Sequence, residues 1–295
     1  MKKLIKLILL LGCCARVFAA TEMEVKSDIA FAKISDVSLK LDVYTPKEAR
    51  GPYPTVLWVH GGGFVSGDKK QFPRLVLDPL FDRGWAMVSV NYRLSPQHPF
   101  PAAPDDVESG ISYIKKHARE WNVDPNKLVL MGESAGGLLV SVAGARARPE
   151  NHVAAVVSFY GEHDLILRVT ENPCIMDGKA VPMPPGGCLS PGIAAFLGIK
   201  EVNDDTTKIV REASAVTYVK KDMPPYLLIH GTREFHVPFE QAVSLKMAMD
   251  KAGADCKLIP ILGGAHGLGG WERLPQAKGY KEQMIAWLEE KLQLK

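Results

Sequence analysis

One stretch of nine residues constrains the fold of this chain more than any other. The apolar run Val129–Met131 predicts a strand, Gly132-Glu133-Ser134-Ala135-Gly136 follows it, and Gly137 opens a run of small residues. Small residues on both sides of a serine suit a sharp strand-to-helix turn, because the two backbones approach closely there. Such a turn exposes the hydroxyl of Ser134, although a lone Gly-x-Ser-x-Gly also occurs in ordinary glycine-rich turns.

Two further motifs give the serine a chemical context. The apolar run 55–59 ends in His60-Gly61-Gly62-Gly63-Phe64, and a later apolar run ends in Gly264-Ala265-His266-Gly267. A glycine loop, a serine and a histidine in this order are typical of a nucleophile with its oxyanion loop and its base. We therefore predict Ser134 as the nucleophile and His266 as the general base, and we expect His60 to brace the glycine loop. The predicted oxyanion donors are the backbone N–H groups of Gly62, Gly63 and Ala135.

The carboxylate that orients His266 is expected after the strand that precedes the histidine strand. Glu234 occupies that position, and a glutamate can serve there as well as an aspartate. Asp164, which follows the strand before it, is the alternative acid. His236, two residues beyond Glu234, is the alternative base.

The charge balance gives no reason to expect nucleic acid or an anionic membrane surface as a partner. Four of the 36 basic residues and no acidic residue lie in 1–19, so 32 basic residues remain against 33 acidic ones. The cysteines lack the spacing of a metal site, and Gly61–Gly63 is not followed by a phosphate-binding pattern. We predict that the chain needs no metal and no cofactor.

The amino terminus has the pattern of an export signal. Residues 1–19 combine a basic start, the apolar run Leu7–Leu11 and a small-residue cleavage site that ends at Ala19. The run is far short of the ~20 residues of a membrane span. We expect export to the periplasm or the extracellular space. Because Leu10-Leu11-Gly12-Cys13 resembles a bacterial lipobox, a lipid anchor at Cys13 is the alternative.

Two cysteines in the body of the chain are close in sequence. Cys174 and Cys188 lie in one segment rich in proline and glycine. In an exported protein they can form a disulfide, and the alternative is two reduced thiols in a loop.

Strands alternate with helices along the rest of the chain. Residues 24–46 predict two strands, and continuous apolar runs predict six more at 54–59, 85–90, 127–131, 153–160, 225–230 and 256–262. Helices are predicted over 72–83, 104–121, 238–252 and 278–292. Continuous apolar strands are typical of a sheet with helices on both faces. The sequence therefore predicts one α/β domain over 20–295, with a mostly parallel twisted sheet of about eight strands.

Residues 162–223, after the sixth strand, are too long for a plain connection. We predict an irregular segment, which holds five of the 21 prolines. Segments of this length are usually lids or insertions. Because residues 20–54 predict only strands, we expect any cover over the site to come from 162–223. Its composition at 181–191 predicts a small or open cover and a preference for short acyl chains.

Seven stretches together resemble one known family. They are His60–Phe64, 89–96, 98–106, Gly132–Gly137, 213–219, 224–232 and Gly264–Gly267, and the match runs from about residue 36 to the last helix. The sequence resembles the α/β-hydrolase esterases related to hormone-sensitive lipase, and more closely their bacterial BD-FAE-type, feruloyl-esterase-like carbohydrate esterases. Two features depart from the family: Glu234 stands where it usually has Asp, and 172–191 matches no pattern of the family.

The resemblance implies the α/β-hydrolase fold and a metal-free serine carboxylesterase that acts on small or carbohydrate-linked esters, often acetyl or feruloyl groups. An amidase such as an aryl-formamidase shares these motifs and is the first alternative. A catalytically inactive binding module of the same fold is the second, but it predicts a broken triad, whereas a serine, a histidine and a carboxylate are all present.

Overall fold

The continuous apolar runs of the sequence form the inner strands of one eight-stranded sheet. The computed structural model describes residues 21–48, 50–146, 148–170, 174–176, 179–181 and 188–294. The strands are β1 (Met23–Ile34), β2 (Val37–Pro46), β3 (Tyr53–Val59), β4 (Ala86–Val90), β5 (Val123–Glu133), β6 (Ala155–Phe159), β7 (Cys174–Met176), β8 (Lys179–Val181), β9 (Tyr226–Gly231) and β10 (Cys256–Ile261).

The helices lie close to their predicted positions outside 162–223. They are α1 (Arg74–Phe81), α2 (Ala102–His117), α3 (Ala135–Arg146), α4 (Leu165–Thr170), α5 (Pro191–Leu197), α6 (Asp204–Glu212), α7 (Glu240–Ala252), α8 (Leu268–Trp271) and α9 (Tyr280–Lys291). No described helix has both the length and the apolar character needed to cross a membrane. The predicted export segment 1–19, with Cys13, lies outside the described residues.

The order of strands in the sheet is β1-β2-β4-β3-β5-β6-β9-β10. The pairs β1·β2 and β2·β4 are antiparallel, and the other five neighbours are parallel. The prediction of a mostly parallel sheet of about eight strands is therefore confirmed. Because β3, β5, β6, β9 and β10 run the same way, their carboxyl ends meet at one edge of the sheet.

Both faces of the sheet are covered by helices. Along β3, Leu57 and Val59 pack into one apolar core, whereas Val56 and Trp58 pack into the other. The first core includes side chains of α2, α3 and α7, and the second includes side chains of α1, α8 and α9. Burial on both faces explains why the inner strands are apolar without a break.

The segment 162–223 contains more regular structure than predicted, so the expectation of an irregular segment was wrong. Its described residues form α4, α5 and α6, together with a two-stranded sheet of β7 and β8. These elements are too short to show a hydrophobic period. Pro191 is the first residue of α5, a position that proline favours, and Asn203 and Thr206 form a capping box at α6.

Cys188 is disulfide-bonded. Its partner cysteine lies outside the side chains that the structure describes. Next to the disulfide, the Cys188 N–H donates to the carbonyl of Val169, 2.7 Å away.

Two histidines near the carboxyl ends of β6 and β9 are buried in their neutral form. His163 is 1% exposed, and neither ring nitrogen has a hydrogen-bond partner among the described residues. His230, at the end of β9, donates from Nε2 to the carbonyl of Val237 at 2.8 Å. Burial lowers the pKa of His163 to about 3 and that of His230 to about 4.

We expect these histidines to make the folded state sensitive to acid. In the unfolded chain they take up protons below their ordinary pKa of about 6.5, whereas in the folded chain they stay neutral. The contribution of these histidines to the free energy of unfolding is therefore full above about pH 6.5, and it is lost as the pH falls towards 4. Between pH 7 and pH 5, the free energy of unfolding of His163→Leu should therefore fall by about 2 kcal/mol less than that of the parent protein. Urea unfolding at both pH values measures this difference. Equal losses in the variant and the parent would contradict this assignment.

Candidate active site

Five loops converge where the parallel strands end. His60 follows β3, Ser134 follows β5, Glu162 follows shortly after β6, Glu234 follows β9, and His266 follows β10. Open α/β sheets place their ligand sites in the crevice outside these strand ends. The topology thus brings together residues that are as much as 206 positions apart in the sequence.

Ser134 sits on a strained turn between β5 and α3. Its φ is 52°, a left-handed conformation that is uncommon for a residue with a side chain. The turn brings α3 so close to β3 that a Cβ on Gly136 would lie 2.1 Å from the carbonyl oxygen of Val59. Only glycine fits there, so the small residues of the motif have a steric cause.

The structure brings Ser134, His266 and Glu234 into one hydrogen-bonded line. His266 Nε2 is 3.0 Å from Ser134 Oγ, and His266 Nδ1 is 2.8 Å from Glu234 Oε2. The Glu234 side chain is fully buried, and its Oε1 accepts the N–H groups of His236 (2.7 Å) and Val237 (3.3 Å). Burial alone would raise the pKa of Glu234, but the hydrogen bonds from His266 and the backbone hold it below its usual value.

The two alternative residues do not take these places. Asp164 Oδ1 accepts the N–H of Leu167, and its Oδ2 accepts the hydroxyl of Ser244, so it caps α4 and joins it to α7. His236 lies beside the line, with its ring centre 5.1 Å from that of His266 and its side chain 68% exposed. The hydroxyl of Ser134 is bonded to His266.

His60 and Tyr92 hold the glycine loop, Gly61–Gly63, in place. The His60 ring is buried, donates from Nδ1 to the carbonyl of Gly61 at 2.7 Å and stacks on Tyr92 at 4.4 Å. The Tyr92 hydroxyl donates back to the His60 carbonyl. Burial lowers the pKa of His60, which favours the neutral ring in this role.

A cleft of about 310 Å³ opens above Ser134 and His266. The three predicted oxyanion residues, Gly62, Gly63 and Ala135, all lie in its lining. Part of the segment 162–223 forms another wall, through Glu162, Arg168, Ser190, Gly192 and Ile193. Phe196 of this segment stacks on Phe64 of the glycine loop at 4.0 Å.

A buried ion pair that the sequence did not predict lies in this cleft. Glu162 and Arg168 are 6% and 3% exposed, and Arg168 Nε donates to Glu162 Oε1 at 3.1 Å. Burial raises the pKa of Glu162, and the Arg168 guanidinium opposes that rise. The only signal in the sequence is Glu162-x5-Arg168 just after an apolar strand, which an exposed helix start would produce equally well.

A second missed contact supports the histidine. Tyr160, at φ 38°, places its ring edge-on to the His266 ring at 4.7 Å, and its hydroxyl donates to Glu133 Oε2. Glu133 is the residue before Ser134. This contact joins the turn that carries the serine to the ring of the histidine.

One group of described side chains has the donor set of a metal site. The ligand atoms of Glu234, His236 and His266 all lie within 4.8 Å of one another. Two of these residues already hydrogen-bond within the line to Ser134, so a metal ion here would compete with that arrangement.

The chain matches one family model and is similar to proteins described as esterases. The family model described as BD-FAE matches residues 41–249. Esterase LipC of Mycobacterium tuberculosis is 29% identical over 71% of this chain and 51% of its own length. The probable isoprenylcysteine alpha-carbonyl methylesterase ICMEL1 of Arabidopsis thaliana is 27% identical over 77% of this chain and 48% of its own length. The chain thus spans about half the length of the curated relatives it matches.

Solved structures match almost the whole chain. A truncated form of a carbohydrate esterase from gut microbiota has a TM-score of 0.76 and 26% identity, and it covers 93% of this chain and 98% of its own. The propionate-bound esterase Est2 of Thermogutta terrifontis has a TM-score of 0.67 and 25% identity, covering 92% and 94%. These neighbours support the α/β-hydrolase fold described above.

The two oxygens of Glu234 predict the effect of a single substitution. In Glu234→Gln, the amide oxygen can still accept the two backbone N–H groups, and the amide NH₂ then donates to His266 Nδ1. This places the ring proton on Nε2, where His266 can no longer accept the proton of Ser134. We expect kcat on a small ester to fall by up to ~10⁴ while KM changes little. Asp164→Asn should cost less, because it disturbs only the cap of α4 and its link to α7.

Steady-state kinetics of both variants check this ranking, and Glu234→Asp is the graded control. Its shorter carboxylate retracts from His266, so we expect an intermediate loss of kcat. An Asp164→Asn variant that is nearly inactive beside a normal Glu234→Gln variant would assign the acid to Asp164 instead.

Proposed function

The chain belongs to the BD-FAE family, and from this premise we propose that it is a serine carboxylesterase. We propose short-chain or aryl esters of the acetyl or feruloyl type as its substrates and an acyl-enzyme as its intermediate. The observation that carries the proposal is the line from Ser134 Oγ through His266 to the buried Glu234, beside a glycine loop in one cleft.

The proposed reaction begins when Ser134 attacks the ester carbonyl and its proton passes to His266 Nε2. The imidazolium that forms is stabilised by Glu234, whose carboxylate also fixes the ring. N–H groups of Gly62, Gly63 and Ala135 hold the tetrahedral oxyanion, and each such donor is worth about 2.7–4 kcal/mol in the transition state. His266 then gives its proton to the leaving alcohol, and a water molecule hydrolyses the acyl-enzyme by the same steps.

Two observations support the proposed substrate class: the size of the cleft and a structural neighbour. A cleft of about 310 Å³ is at the small end for ligand sites, which favours a small acyl group. The structural neighbour described as a carbohydrate esterase supports an ester linked to a carbohydrate. Segment 162–223, whose described residues contribute one wall of the cleft, is the proposed cover of the site.

We also propose that the protein is exported. The disulfide at Cys188 supports this, because disulfides persist in oxidising compartments and are rare in the cytosol.

Substitution of the nucleophile tests the reaction directly. Ser134→Ala and His266→Ala should each abolish hydrolysis of 4-nitrophenyl acetate, because the first lacks the attacking oxygen and the second lacks the base. EDTA should leave the activity of the parent protein unchanged, and strong inhibition by EDTA would reject a metal-free mechanism. Turnover of an aryl formamide without turnover of any ester would favour the alternative amidase.

Acyl chain length tests the size of the cleft. We expect kcat/KM to be highest for 4-nitrophenyl acetate or butyrate and to fall at least tenfold by the decanoate, because a longer chain exceeds the space above Ser134. A series of 4-nitrophenyl esters from two to twelve carbons measures this. A maximum at the long-chain esters would show that the cover opens into a larger acyl site.

A further inference from the structure

Glu162 has one carboxylate oxygen that the protein leaves without a hydrogen bond. Oε1 accepts from Arg168 Nε at 3.1 Å, but the buried Oε2 has no partner among the described residues. The side chain is 8% exposed and belongs to the lining of the cleft that contains Ser134 and His266. A buried acceptor without a donor is costly, so such atoms concentrate where a ligand or an ordered water supplies the missing donor.

The ion pair between Glu162 and Arg168 is unusual in the wall of a cleft for apolar groups. Replacing a buried ion pair by apolar side chains of similar volume is often neutral or stabilising. A cleft that received only apolar acyl chains would therefore not require a buried charge pair in its wall. Arg168 also donates from Nη2 to the carbonyl of His236 at 3.2 Å, so the pair is held against the loop that carries Glu234.

The surroundings of Oε2 restrict what the donor can be. The Arg168 guanidinium at the same carboxylate disfavours a cationic ligand group, and the free atom is an acceptor, which disfavours an anionic group. A neutral hydroxyl has the right chemistry because it donates one hydrogen bond and adds no charge.

We propose that Glu162 is a specificity residue that accepts a hydrogen bond from a hydroxyl group of the ester substrate. The inference rests on the proposed esterase function and adds the residue that would recognise a hydroxyl of such esters, whether on a sugar alcohol or on a phenolic acyl group. Arg168 is a positioning residue that orients the Glu162 carboxylate.

Glu162→Gln is the sharpest test, because it keeps the shape of the side chain. Its amide oxygen can still accept from Arg168, which turns the NH₂ group towards the position of Oε2 and replaces an acceptor by a donor. Glu108→Gln is the matched control. Glu108 is also a buried glutamate, it pairs with Arg146 at 3.2 Å, and it lies on α2 outside the cleft lining.

Two pairs of esters separate the sources of the hydroxyl. A mono-O-acetyl methyl xylopyranoside against cyclohexyl acetate tests the alcohol side, and methyl 4-hydroxycinnamate against methyl cinnamate tests the acyl side. We expect Glu162→Gln to lower the ratio of kcat/KM within one pair by about 10- to 100-fold, as for a lost hydrogen bond to a charged group, and Glu108→Gln to leave both ratios unchanged. Equal ratios in Glu162→Gln and the parent protein would overturn the inference while leaving the esterase function intact.

Ligand binding decides the question even if no ester is turned over, which would be a failure of the proposed function alone. Methyl xylopyranoside and 4-hydroxycinnamate are titrated into the parent protein and the Glu162→Gln variant, with binding followed by NMR. Binding to the parent that weakens at least tenfold in the variant supports the inference. Equal binding, or no binding of either ligand to the parent, overturns it.

Discussion

The close approach of α3 to β3 behind Ser134 is the constraint on which the rest of this structure depends. Gly136 has no room for a Cβ against the Val59 carbonyl, and this contact fixes the angle at which the helix leaves the sheet. Because β3 also carries the glycine loop, the same contact sets the distance between the serine and the glycines of that loop. Strain at Ser134 is tolerated since the packing on both sides overdetermines the turn.

A second constraint is that the buried carboxylate of Glu234 stays ionised. Glu234 loses its hydration on burial, and three N–H groups replace it. Those bonds fix both oxygens, so one edge of the carboxylate faces His266 and cannot turn away. The extra methylene of glutamate is accommodated within the loop, and the departure from the aspartate usual in the family leaves the geometry of the line complete.

Much of this arrangement was predictable because its signals are local. The inner strands are apolar without a break, and the elbow has steric requirements that only small residues meet, so β5, Ser134 and α3 could be located from the sequence. Glu234 and His266 followed from their place after strands. The pair of Glu162 and Arg168 could not be predicted, because its burial arises from loops that meet only in the folded chain.

The short helices of segment 162–223 could not be predicted from the sequence either. Its proline content suggested irregular structure, whereas Pro191 begins a helix and α6 is stabilised by a capping box rather than by a long apolar stripe. Helices of six to nine residues leave too few turns for a hydrophobic period to stand out.

The stack of Phe64 on Phe196 has a consequence for how such a protein can diversify. One ring belongs to the glycine loop and the other to segment 162–223, so that segment packs directly on the glycine loop. A foreign insertion grafted between β6 and β9 would bring new walls to the cleft, yet it would also have to supply a ring at the place of Phe196. In this chain, an exchange of segment 162–223 that removes Phe196 would therefore also leave the Phe64 ring without its stacking partner.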